Sequence, residues 1–206
     1  MKKINYKTLI ITCIVTLLPI TLGTIFYNKL PNEIAIHFDI NNNPNGYFPK
    51  IAFILGIPIL MTIFQIICCT INDIKDEHPE ANKKMTSVAK WIIPILTIVM
   101  YIITIMYNLG NKLDIRKIVM IILGILFIIL GNYLPKTKSG INGLKKVSEN
   151  QYKKIARILG YSLIIDGLLC LISILFNQYI SIAIILLTIL ETLVICIYSL
   201  TKKEEK

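Results

Sequence analysis

Six long apolar stretches, separated by short polar ones, run through the chain. About 20 apolar residues, rising about 1.5 Å each, cross the hydrocarbon of a bilayer, so a block of about 18 or more reads as a spanning helix. The pattern predicts helices at roughly 8–28, 51–72, 91–109, 117–134, 158–176 and 180–200. The last two are joined by a short turn around "NQY", which predicts an antiparallel hairpin.

One polar stretch has a different rhythm. Between the first two helices lies Leu30–Lys50, "LPNEIAIHFDINNNPNGYFPK". In "EIAIHF", Ile34, Ile36 and Phe38 alternate with Glu33, Ala35 and His37, which is the period of a strand. "NNNPNG" follows. Pro44 pre-sets φ there and Gly46 is free to take φ > 0, so a turn is expected at that point. The stretch therefore predicts a short hairpin-like flap, with Tyr47 and Phe48 suited to the headgroup level.

Composition strengthens this picture. Of 206 residues, 55% are hydrophobic and 17% charged, with a mean hydropathy of +0.68. A soluble domain carries about 25% charged residues. The fold class is an all-α integral membrane protein of about six transmembrane helices, with the flap between helices 1 and 2. The expected division is an N-terminal part, 1–90, with two helices and the flap at 29–50, and a C-terminal part, 91–206, with four helices.

The net charge of +10 reads as topology rather than nucleic-acid binding, since no basic face interleaved with aromatics is present. With the N-terminus inside, 17 of the 22 Lys and Arg fall in inner segments and 5 in outer ones. By the positive-inside rule both termini are expected in the cytoplasm and the flap outside, in a multi-pass membrane protein. Lys2, Lys3 and Lys7 precede an apolar run without a small-residue cleavage site, so an uncleaved first helix is expected.

Candidate chemistry is sparse. Cys13, Cys68, Cys69, Cys170 and Cys196 all lie in apolar blocks and form no CxxC, which fits small apolar fillers. His37 and Asp39 are two ligand types in one loop, too few for a metal site. There is no nucleotide-binding glycine loop and no Ser-His-Asp set. An enzyme is not expected, nor any metal or other cofactor.

Two acids lie inside predicted helices, Asp166 and Glu191, at equal sequence distances from a turn near 178. Intramembrane acids are functional candidates by default. Ser162, Asp166, Cys170, Ser173 and Asn177 share a helical face, and Ser181, Thr188, Glu191, Thr192 and Ser199 form a looser stripe on the next helix. Two readings stand side by side: interhelical hydrogen-bonded glue and a proton-sensing or proton-carrying site. Pro94, Thr97, Tyr101, Thr104 and Asn108 form an acid-free stripe that reads as a packing face. Pro19, Pro58 and Pro94 are placed to kink their helices. The basic loop 135–157 reads as an anchor on anionic lipid or as a docking surface for a cytoplasmic partner, and Ser148 is a candidate helix cap at its end.

The Leu30–Lys50 stretch resembles the N-terminal segment of SdpI-type bacterial membrane proteins. Leu30, Pro31, Ile34, His37, Phe38, Asp39, Pro44, Asn45, Gly46, Tyr47 and Lys50 match its pattern in order. "GNYLPKTK", from Gly131 to Lys138, is similar to that family's second signature through Gly131, Asn132, Tyr133, Pro135 and Lys136. Gly143, Leu144 and Lys145, then Lys154, Arg157 and Gly160, fit the cytoplasmic pattern that follows. Tyr152 stands where the family has Trp, Ile155 and Ala156 stand where it has Thr-His, and "KVS" replaces a Trp-containing turn.

The resemblance implies a non-enzymatic immunity protein against a secreted membrane-active peptide toxin, with signalling to a cytoplasmic repressor and no direct nucleic-acid contact. On that reading Pro31, Ile34, His37, Phe38, Pro44, Gly46 and Tyr47 form the toxin-facing flap. The alternative is a small proton-coupled transporter or membrane sensor using Asp166 and Glu191. A structural subunit of a larger complex is a third. Membrane lipids are partners on every reading.

Overall fold

The structure, a computed structural model, describes residues 4–138 and 148–201. Among them are six helical spans long and apolar enough to cross a membrane: Tyr6–Ile25, Ala52–Lys75, Pro79–Asn108, Ile115–Lys136, Glu149–Ser173 and Gln178–Ile195. The first span is α1 (Tyr6–Leu17) and α2 (Pro19–Ile25), which meet at Leu18. Pro19 starts α2 because a first-turn residue needs no N–H partner. The flap follows as β1 (Glu33–Phe38) and β2 (Pro44–Pro49). A π-helical turn at Ala52–Gly56 leads into α3 (Ile57–Lys75). Then come α4 (Pro79–Asn108), α5 (Ile115–Tyr133) with a 3-10 turn at Leu134–Lys136, α6 (Glu149–Ser173) and α7 (Gln178–Thr201). Large apolar side chains stand exposed along the spans, Ile10, Ile25, Leu186 and Leu190 among them. Water would penalise such a surface and lipid does not. The chain is a multi-pass, all-α membrane protein with one small sheet.

Two helices begin earlier than hydropathy predicts. α4 starts at Pro79 rather than 91, and α6 at Glu149 rather than 158. Their first turns are polar but rich in helix formers, so the helix runs past the apolar stretch. Ser148 caps α6 as expected. Its Oγ accepts from the Gln151 N–H at 3.3 Å, while the Gln151 amide oxygen accepts from the Ser148 N–H at 3.4 Å. Such a capping box satisfies two of the orphan donors at a helix start.

The described chain forms two compact units. One holds the residues up to Ile74 together with Ser87–Asp114. In it the flap is an antiparallel pair with the register Glu33↔Pro49, Ile34↔Phe48, Ala35↔Tyr47, His37↔Gly46 and Phe38↔Pro44. Ile36 is an extra residue on β1 and Asn45 one on β2, two offsetting bulges that break the expected alternation. Ile34 and Ala35 are both buried, while Ile36 is exposed. The turn also differs from expectation. It is made by Asp39–Asn43, with Asn42 at φ 66°, and Asn tolerates the left-handed region because its side chain bonds locally. Pro44 belongs to the strand. Gly46 serves close approach instead: a Cβ there would lie 2.8 Å from the His37 Cβ.

The hydrogen bonds Lys50 N–H to Asn32 C=O and Asp39 N–H to Asn43 C=O fix which pairs exchange bonds. The intervening pairs, including Glu33↔Pro49, Ala35↔Tyr47 and Phe38↔Pro44, direct their backbone groups away from the partner strand. Pro44 and Pro49 thus sit where a missing N–H costs the ladder nothing. On the opposite edge, Ala35 presents both backbone groups to Asn108 at the end of α4. Its N–H donates to the Asn108 side-chain oxygen at 2.9 Å, and its C=O accepts from Asn108 Nδ2 at 3.0 Å. Asn42 Nδ2 donates to the Leu113 C=O at 2.8 Å, and Phe38 meets the Tyr107 ring edge-on at 4.6 Å. Beneath the flap, Leu30, Ile34, Phe53, Ile54, Tyr101 and Ile105 form the unit's apolar core.

Two prolines shape the helices below. A helix proline removes the bond to the carbonyl four residues back. Pro58 offers no N–H to the Ile54 carbonyl in the π-helical turn before it, and that carbonyl accepts from the Tyr101 hydroxyl of α4 at 3.4 Å. Pro94 frees the Lys90 carbonyl, which accepts from Gln65 Nε2 of α3 at 2.8 Å. Each helix thus supplies the donor the other lacks. Gly23 of α2 makes room for the first pin, since a Cβ there would collide with the Tyr101 hydroxyl. Lys90 also pairs with Asp73 at 2.5 Å, and Asp73 Oδ2 accepts from the Asn5 N–H at 3.0 Å.

The other unit holds Lys75–Thr86 and the chain from Ile115 onward. Here α5 and α6 run antiparallel, glycine against glycine. A Cβ on Gly124 would lie 2.8 Å from the Gly167 carbonyl oxygen, and one on Gly131 would lie 2.5 Å from that of Gly160. The glycines recur seven residues apart on both helices, so one stripe meets its mirror and the backbones touch. Small residues allow that approach, which drives helix association in lipid. At one end of this unit Arg116 donates to the Phe176 C=O at 3.2 Å and to Ser181 Oγ at 3.0 Å, tying α5 to the α6–α7 turn.

Candidate functional site

The flap's candidate residues divide into those that build it and those it displays. Ile34 lies wholly in the core and Phe38 is half-buried against Tyr107. Pro44 and Gly46 shape the strand pairing. Pro31, His37 and Tyr47 are exposed, with Phe48 beside them. His37 Nδ1 meets the Asn45 side-chain oxygen at 2.5 Å, which ties the bulged residue of β2 back to β1. Asp39 is committed to the turn. Its Oδ1 accepts from the N–H groups of Asn41 at 2.9 Å and Asn43 at 2.8 Å. The Asn43 backbone bond, ahead of its side-chain bond and that of Asn41, holds the Asp39 carboxyl below its ordinary pKa. Among the described residues no group of three or more His, Cys, Asp or Glu could hold a metal ion.

The acids of α6 and α7 come together, though not level. Ser162 Oγ donates to Glu191 Oε2 at 2.7 Å, and Ser181 Oγ to Ser173 Oγ at 3.2 Å. α6 ends at Ser173 and α7 starts at Gln178, and the Ser162–Glu191 and Ser173–Ser181 pairs centre near residue 177, about two residues before the expected turn. Glu191 therefore lies opposite Ser162, and Asp166 opposite Thr188. Ser162, Thr188 and Glu191 surround the buried Asp166 carboxyl. Cys170 shares the buried face; the side chains of Cys196 and Ser199 lie outside the described residues.

The second signature is held by residues far away in sequence. Asn82 Oδ1 accepts from the Lys138 N–H at 2.8 Å, while Asn82 Nδ2 donates to Asp76 Oδ1 at 2.8 Å. Asp76 Oδ2 accepts from Thr86 Oγ1 at 3.1 Å. Thr137 Oγ1 and the Tyr152 hydroxyl share a 2.6 Å bond. Tyr152 thus keeps a polar link at the position where the family pattern has Trp. Lys136 Nζ donates to Asn132 Oδ1 at 3.0 Å and lies over the Tyr133 ring. Pro135 packs on Gly160, where a Cβ would come within 2.4 Å of it. Lys154 and Arg157 are exposed, while Ile155 and Ala156 are buried. Gly143 and Lys145 lie outside the described residues. Hydropathy gave no signal for Asn82, Asp76, Asn108 or Arg116. Polar residues at span ends were the available hint.

These features define a small helical membrane protein whose two signature segments build a flap and one tightly tied span end. Residues 14–62, which run from the first span through the flap into α3, match a family model described as a domain of unknown function, DUF1648. Over 194 residues the chain is 26% identical to the "Immunity protein SdpI" of Bacillus subtilis (strain 168), covering 91% of this chain and 92% of that protein. It is also 37% identical over 43 residues to an uncharacterized membrane protein, YbgB, of the same organism, covering 47% of that protein. No solved structure matches. The chain is thus similar to an SdpI immunity protein across nearly its whole length, which accords with the resemblance read from its two signatures.

Proposed function

We propose that this chain is a non-enzymatic membrane immunity protein that protects its cell from a secreted, membrane-active peptide. The observation carrying this reading is the similarity to an immunity protein over 91% of the chain. The flap supports it physically. It is anchored to α4 through Ala35–Asn108 and Asn42–Leu113, yet it presents Tyr47 and Phe48. A rigid mount with exposed aromatics suits recognition, because little ordering entropy is lost on contact. The excess of Lys and Arg between the other span ends supports an orientation with this flap outside and both termini in the cytoplasm. The network of Asn82, Lys138, Thr137 and Tyr152 then faces the cytoplasm, where it orders the segment next to the basic loop for a repressor to dock.

The test is survival. A toxin-sensitive bacterial host expressing the chain is challenged with the secreted toxic peptide encoded beside it. Survival above an empty-vector control is expected. A Tyr47→Ser/Phe48→Ser variant at equal membrane level should lose protection. Retained protection would argue against the flap as the contact surface.

The grouping of Asp166, Ser162, Thr188 and Glu191 favours a second reading, a proton-responsive sensor or transporter. On it, Asp166→Asn with Glu191→Gln abolishes activity while the protein still folds. If that variant protects as well as the parent, the acids serve packing alone.

A further inference from the structure

α3 and α4 are pinned at two levels and part between them. The Tyr101 hydroxyl holds the Ile54 carbonyl at one level, and Gln65 holds the Lys90 carbonyl at the other. Between these pins lies a groove of about 350 Å³ whose walls include Ile57 and Met61 from α3 and Leu96 and Met100 from α4. Ile36, the bulged residue of the flap, closes one end.

Its chemistry is predominantly apolar. Thr97 and Thr104 lie on the wall, but each hydroxyl donates to a carbonyl of its own helix, Ile93 at 2.7 Å and Met100 at 2.8 Å. The Tyr101 hydroxyl is spent on Ile54. A polar occupant would find hydroxyl lone pairs but no free donor, and would lose most of its solvation. Its dimensions narrow the choice further. From Ile93 to Thr104 the wall runs about 16 Å at 1.5 Å per residue, about half of a 30 Å hydrocarbon core. A helix about 10 Å across and of that length fills more than about 1,000 Å³, so the groove seats at most one face of it. A single extended hydrocarbon chain, about one leaflet long, matches the groove's length and lies within it.

We infer that this groove binds one acyl chain of a membrane phospholipid, with Ile36 of the flap over its end. The two methionines suit such a ligand, since unbranched, polarizable side chains adapt to a chain of varying conformation.

The test is photolabelling of the full-length protein in nanodiscs with a phospholipid carrying a diazirine in its acyl chain. Labelled positions are read by mass spectrometry. Met61 and Met100 should be labelled several-fold above Ile59 and Ile95, which are exposed on the same helices. A Met61→Phe/Met100→Phe variant that keeps its melting temperature should drop groove labelling to the Ile59 and Ile95 level. On the wild type, excess unlabelled phospholipid of ordinary chain length should displace the label and a short-chain analogue should not. Even labelling of all four positions would overturn the assignment. So would groove labelling that survives the filled variant or resists displacement. Labelling of the same methionines by a photoreactive apolar peptide, with the lipid label uniform, would give the groove to a peptide instead.

Discussion

Gln65 on α3 donates to the Lys90 carbonyl at 2.8 Å, the carbonyl that Pro94 deprives of its own helix partner. In hydrocarbon no water can take that place. Gln65→Leu should therefore destabilise the protein by about 1–3 kcal/mol, the usual cost of an orphaned buried polar group. Adding Pro94→Ala returns a backbone N–H to the Lys90 carbonyl and should recover part of the loss. Melting of the four proteins of this double-mutant cycle in detergent checks it. Additive effects would mean that Pro94 and Gln65 act independently.

The glycine contacts between α5 and α6 make a contrast within one set of variants. Gly131→Ala places a methyl 2.5 Å from the Gly160 carbonyl oxygen and 2.8 Å from an Ile164 side-chain carbon. The helices must separate, and overpacking of this kind costs about 1–3 kcal/mol. Gly124→Ala should behave alike. Gly56→Ala meets nothing within 4 Å and should leave the melting temperature within a few degrees of the parent.

Asn108 holds both backbone groups of Ala35. Asn108→Leu removes both bonds to Ala35, of about 1 kcal/mol each, along with the Nδ2 bond to the Thr104 carbonyl of its own helix, and should loosen the flap before the bundle. Limited proteolysis at Asp39–Asn43 should then speed up while the melting temperature falls only slightly. Asn108→Asp keeps the acceptor for the Ala35 N–H but loses the donor for its C=O, and should fall between the two.

The Asp39 carboxyl is held below its ordinary pKa of 3.8 by the Asn43 backbone N–H foremost. A depressed folded pKa means that the ionised form stabilises the turn. That contribution is complete above the ordinary value and is lost as pH falls through the depressed one. Protease resistance of the flap should be flat from pH 7 to pH 5 and decline only below about pH 4. Asp39→Asn should remove the pH step.

The spans were legible because a bilayer demands runs of apolar residues, and such runs are unmistakable at six places. The strand period of "EIAIHF" and the turn-rich "NNNPNG" revealed a hairpin. Its details escaped, because both Asn42 and Gly46 can take φ > 0 and only pairing decides which does. The two bulges reassigned Ile36 from the buried side to the exposed one. The Asp166–Glu191 grouping was readable from helical spacing, but its register depended on where α6 stops. Pro58 and Pro94 announced which carbonyls would be freed. Nothing in the sequence said that Tyr101 and Gln65 would fill them, since that needs the helix pairing. The seven-residue glycine spacing on α5 and α6 was present all along and becomes meaningful once the two helices are known to be antiparallel neighbours.

The prolines at the two ends of β2 bear on how many copies one membrane can carry. A bare strand edge invites sheet growth from molecule to molecule. With Pro44 and Pro49 on the outward positions, the flap offers no continuous row of donors for a second flap to zip onto. Neighbouring copies can therefore crowd side by side without polymerising through their flaps, and a cell can raise the protein's density without losing its flaps to one another.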